Sequence, residues 1–143
     1  MTTRSEFVVR VLLGVLLLWA GGAKLAEPKL FFFTLLEYRL PLPDGALRFV
    51  AVMLPWLELL CGAFLVTDTW AGSVRALTAG LCGVFIVATA QAWLRGLEIS
   101  CGCFGALESG EWGTPAVALA RAVLLGAAAV WLLARFGRKK SSA

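Results

Sequence analysis

Residues 47–66 read LRFVAVMLPWLELLCGAFLV. The only charged side chains in this run are Arg48 at its start and Glu58 near its middle. About 20 apolar residues at roughly 1.5 Å per residue match the ~30 Å hydrocarbon thickness of a bilayer. Working outward, three more runs have the same character: Phe7 to Leu25, Val74 to Leu94 and Pro115 to Phe136. None alternates polar with apolar residues as a barrel strand does, so helices are the way to satisfy their backbone groups in lipid. The expected fold is all-α, a polytopic four-transmembrane-helix bundle in a single domain over 1–143. Gly14, Gly21, Gly22, Gly62, Gly80, Gly83 and Gly126 are expected to let its helices approach closely.

Composition supports the same class. The chain has 143 residues, 60% of them apolar and 15% charged, with a mean hydropathy of +0.86. A soluble domain of that size could not bury so much apolar surface. The sequence contains no histidine, which removes His-based general bases, serine triads and His-ligated zinc or haem. Chemistry must come from Cys, Glu, Lys, Arg or a cofactor. The net charge of +4 sits largely at the ends of apolar runs, where it sets topology and carries no nucleic-acid footprint. A signal-peptide reading of the first run, with Ala20-Gly21-Gly22-Ala23 as cleavage site, is disfavoured because the run exceeds the usual h-region of about 7–15 residues.

Between the first two runs, Pro28 to Gly45 mixes Phe31, Phe32, Phe33 and Tyr38 with Lys29, Glu37 and Arg39. Pro28 suits a first helical position, and a short interfacial helix is expected there. Thr114 and Pro115 are placed to start the fourth span. Four spans put both termini on one side, with seven basic residues against six on the other. Arg4, Arg10 and the Arg135 to Lys140 cluster favour cytoplasmic termini in a cell (inner) membrane. The loop 95–114 then faces outward, where disulfides persist.

That loop holds Cys101-Gly102-Cys103-Phe104-Gly105. Adjacent-but-one Cα atoms lie near the upper end of the roughly 4.4–6.8 Å range a disulfide tolerates. A bond closed across one residue is strained and exchange-prone. The pair reads first as a redox couple, then as an inert pair, and last as metal ligands. Cys61 and Cys82, inside the second and third spans at similar depth, form a candidate second redox pair, although such residues also serve as small space-fillers. Glu58 costs at least about 2.5 kcal/mol in mid-bilayer unless paired or protonated, so it and, more weakly, Gln91 are candidates for contacting a quinone. Lys24 and Arg121, near the outer span ends, are candidates for favouring a thiolate; snorkelling to the headgroups explains them as well.

Gly22-Ala23-Lys24-Leu25 with Pro28 and Phe31, Leu54-Pro55-Trp56-Leu57-Glu58-Leu59 with Gly62, and Cys101-Gly102-Cys103-Phe104-Gly105 together resemble the MauE branch of the DoxX-like membrane proteins. The resemblance covers nearly the whole chain. It implies a four-helix bundle, a role in maturing methylamine dehydrogenase, and redox work carried by Cys101 and Cys103, with Lys24, Glu58 and Arg121 as recurrent polar positions.

The expected function is a membrane thiol-disulfide oxidoreductase that exchanges disulfides with an extracytoplasmic thioredoxin-like partner or a disulfide-containing client. Electrons then cross by a quinone near Glu58 and Gln91 or by Cys61 and Cys82. The alternatives are a non-catalytic anchor or assembly subunit for a redox enzyme and, least favoured with one CxC and no His, a small thiol or metal transporter. The direction of electron flow and homodimer formation stay open.

Overall fold

A computed structural model describes residues 3–97 and 114–142. Among them are five helices: α1 (Arg4–Ala26), α2 (Pro28–Glu37), α3 (Asp44–Thr67), α4 (Ala71–Leu94) and α5 (Pro115–Ser141). Four of these are long and apolar enough to cross a membrane, and no strand occurs among the described residues. The chain is a polytopic helical membrane protein.

The helices run past the apolar stretches because polar residues close their ends. The Thr3 side chain accepts a hydrogen bond from the Glu6 amide, which starts α1 ahead of its first apolar residue. Asp44 in the first turn of α3 and Arg138, Lys139 and Lys140 in the last turn of α5 suit the helix dipole. α2 begins at Pro28, where the missing N–H costs no hydrogen bond. A tight turn through Asp68 and Trp70, both with left-handed backbones (φ 58° and 49°), reverses the chain between α3 and α4.

α1 packs along α3 and α4 along α5, and the two pairs meet through α3 with α4 and α1 with α5. The four spans therefore form a closed square, with α2 laid against α3 and α1. Its core includes Leu13, Leu17, Cys61, Leu65, Leu81, Cys82, Ala129 and Leu132. The outer faces carry large apolar side chains such as Phe49, Val84, Val87 and Leu124, each at least 65% exposed. Only about a third of each span is buried by protein, so the remaining apolar surface needs lipid.

The α1–α3 contact depends on backbone approach. A Cβ on Gly62 would lie 2.7 Å from the Gly14 carbonyl oxygen, and one on Gly14 would lie 2.8 Å from Val66 Cγ2. Gly21 sits as tightly against the Pro55 carbonyl. Small residues let van der Waals packing hold helices together where lipid supplies no hydrophobic drive. Gly126 packs under Ile86 in the α4–α5 pair. Gly22, Gly80 and Gly83 do not take the expected part: nothing lies within 4 Å of a Cβ built on them, because they stand off the helix contacts. Gly62→Leu should therefore destabilise the bundle by about 1–3 kcal/mol or more through overpacking. Gly80→Leu should leave it unchanged, and thermal unfolding of the two variants in detergent checks the contrast.

Candidate functional site

Side chains on an α-helix lean toward the helix N-terminus. α1 runs from the terminal side outward and α3 runs back, so Lys24 leans into the bundle while Glu58 leans up to meet it. The Lys24 Nζ donates to both Glu58 carboxylate oxygens at 2.9 Å. Their side chains are each 1% exposed. Snorkelling, one of the two readings given to Lys24, does not occur, because a helix of this direction aims the side chain away from the headgroups.

Aromatic rings close around the ammonium. Phe31 of α2 lies with its centroid 5.4 Å from Nζ and Phe85 of α4 at 5.2 Å, both within cation–π range. One ion pair thus ties together α1, α2, α3 and α4. Beside it is a cavity of about 50 Å³ whose lining includes Lys24, Glu58, Cys82, Phe85, Ala118 and Arg121. Arg121 brings α5 to the same place. Cys61 and Cys82 are free, buried thiols and belong to one core cluster between α3 and α4.

Lys24, Glu58, Cys82 and Arg121 are therefore brought together, with Cys61 one turn along α3 from Glu58. Gln91 is placed elsewhere. Its Nε2 donates to the Tyr38 carbonyl at 2.9 Å and its Oε1 accepts from Arg95 at 3.1 Å, so it braces the end of α4 against the segment after α2. Gln91 lines a separate groove with Leu40, Leu42, Gly80 and Val84. The cavity at Glu58, about 50 Å³, is small beside the ~300–1,000 Å³ of ordinary ligand pockets. It suffices for water. Cys101 and Cys103 lie outside the described residues.

Sequence reading identified Lys24 and Glu58 singly but missed that they are partners. The available signal was that they are the ionisable residues deep in two adjacent spans, and each needs an opposite charge. A second group, Glu6, Arg10, Asp68 and Arg75, was missed: its arginines entered only the topology count, and its carboxylates were not singled out.

The pair dictates an asymmetric mutational response. Glu58→Gln leaves Lys24 buried without a counter-charge and should cost about 3–5 kcal/mol, whereas replacing both residues with apolar ones of similar volume should recover most of the loss. A double-mutant cycle of thermal unfolding in micelles measures this, and additive losses would contradict the pairing.

The family model described as methylamine utilisation protein MauE matches residues 3–135. A methylamine utilization protein MauE of Paracoccus versutus is 38% identical over 136 residues, covering 92% of this chain and 73% of that protein. That of Paracoccus denitrificans is 35% identical over 99 residues, covering 68% of this chain and 53% of the relative, so the chain spans about half that protein's length. No solved structure matches the chain. The matched length, which takes in three whole spans, most of the fourth and the Lys24–Glu58 pair, places this chain in the MauE family.

Proposed function

We propose that the chain is a membrane thiol-disulfide oxidoreductase acting through Cys101 and Cys103 on an extracytoplasmic thioredoxin-like partner or a maturing client. The observation that carries this reading is the Cys101-Gly102-Cys103 motif in the connection between α4 and α5. That connection leaves the bundle at the end where α1 finishes and α2 begins. The positive-inside distribution assigns this end to the extracytoplasmic side of the cell membrane and the termini to the cytoplasm. Methylamine utilisation, the role named for the relatives, together with the resemblance described above, makes methylamine dehydrogenase the natural maturing client.

In the oxidising direction, a client thiolate attacks one sulfur of the Cys101–Cys103 disulfide, forming a mixed disulfide and releasing the other sulfur as thiolate. A second client thiolate then attacks the mixed bond. The client leaves with a disulfide, and Cys101 and Cys103 are left as a dithiol carrying two electrons. An oxidant of disulfide or quinone class takes those electrons to complete a turnover. The buried thiols Cys61 and Cys82 are candidates for an intramembrane relay, and the Lys24–Glu58 pair fixes the helices that hold them.

An assembly subunit without catalysis is the second reading, favoured by the closed geometry of the Lys24–Glu58 pair, which serves structure whether or not thiols react. The test is thiol-alkylation mass shift of Cys101 and Cys103 across a glutathione series, with Cys103→Ser as a trapping variant. A reversible two-electron transition and an accumulating mixed disulfide are expected. Thiols that hold one state over the whole range, with a partner still co-purifying, would leave the assembly subunit as the account.

A further inference from the structure

At the end of the bundle that carries both termini, buried charge is arranged differently. Arg10 of α1 and Arg75 of α4 are 6% and 4% exposed, and both turn to one carboxylate. Arg10 forms an ion pair with Asp68, and Arg75 Nη2 lies 3.4 Å from Asp68 Oδ1. The next pair is Glu6 with Lys139 at 3.6 Å. The two buried guanidinium groups thus share one carboxylate, that of Asp68.

The guanidinium groups are also short of acceptors. Each has five N–H donors, yet Arg10 Nε and Arg75 Nε are buried without a hydrogen-bond partner. Arg10 stacks over Phe7 at 5.5 Å and Arg75 over Phe136 at 5.1 Å, contacts that favour the cation but supply no oxygen. Buried donors left unpaired are costly. The cluster is not sealed, since the Asp68 side chain is 39% exposed. It opens at the turn between α3 and α4, where Asp68 lies.

We propose that Arg10 and Arg75 form a binding site for a phosphate-type oxyanion, a phosphodiester headgroup or free phosphate. Guanidinium forks match such oxygens bidentately. One bound anion would balance the surplus cation and accept from the idle Nε–H groups. The site is independent of the thiol chemistry and lies at the opposite end of the bundle.

The test uses the full chain purified in a phosphate-free maltoside detergent, titrated with phosphatidylglycerol and separately with inorganic phosphate. Stoichiometry is followed by native mass spectrometry and stabilisation by thermal unfolding. One anion should bind per chain. Arg10→Gln and Arg75→Gln should weaken binding about tenfold or more, the loss of a charge-assisted contact, while Arg48→Gln, on an exposed residue of α3, should leave it unchanged. Lipid displaced by inorganic phosphate identifies the oxyanion alone as sufficient; lipid retained in phosphate excess identifies the headgroup as the source. If Arg75→Gln does not fold, Arg75→Lys keeps the charge but loses the fork and must still weaken binding. Wild type that takes up neither ligand stoichiometrically, or variants that bind as wild type does, overturn the proposal.

Discussion

The bundle depends on a charge pair buried in its core, Lys24 with Glu58. Lys24 and Glu58 are each 1% exposed in their side chains, and in the bilayer neither can stay charged alone without a penalty of several kcal/mol. Their contact is therefore a register constraint between α1 and α3 as much as an attraction. It agrees with the backbone contacts of Gly14 with Gly62 and Gly21 with Pro55, which permit one close alignment of the two helices. Phe31 and Phe85 against the same ammonium extend that constraint to α2 and α4. Polar pairing and small-residue packing thus fix one arrangement in a solvent that gives helices little reason to associate.

The two ends of the bundle solve the same electrostatic problem differently. At the Lys24 end, one cation meets one carboxylate in a bidentate contact with rings around it. At the end with the termini, Arg10 and Arg75 divide one carboxylate that is itself partly exposed. The first arrangement is complete within the protein. The second reaches the surface, where ions and headgroups are available, and is therefore the more sensitive of the two to the surrounding membrane.

Four spans were legible in the sequence because each exceeds the bilayer's length requirement and carries few charges, a signal that does not depend on partners. The short helix at Pro28 was legible from the proline and the mixed aromatic and charged residues that follow it. Pairings were not. Lys24 and Glu58 are 34 positions apart, and neither hydropathy nor local spacing says which helix faces which; that information lies in the direction of side chains on antiparallel helices. The same holds for the glycines. Gly62 and Gly80 are indistinguishable as letters, yet one meets a carbonyl oxygen and the other meets nothing. Gln91 makes the same point: its amide donates to the backbone carbonyl of Tyr38, an acceptor invisible to side-chain patterns.

Burial also divides the cysteines by what they can do. Exchange with a protein requires an in-line approach of one sulfur to another, so access matters as much as thiolate character. Cys61 and Cys82 are 1% and 6% exposed, inside a packed core that no partner's thiol can enter without parting the helices. Cys61 and Cys82 are therefore not placed to react with an outside protein. The inner thiols are restricted to exchange within the chain or to filling space beside Glu58. Their small volume suits the latter, and their shared cluster permits the former. A relay through them would require the Lys24–Glu58 region to loosen, because the charge pair, the rings and Cys82 surround the same small cavity. Any opening of the core at Cys82 must then act on the stability of that ion pair, because both border the same cavity.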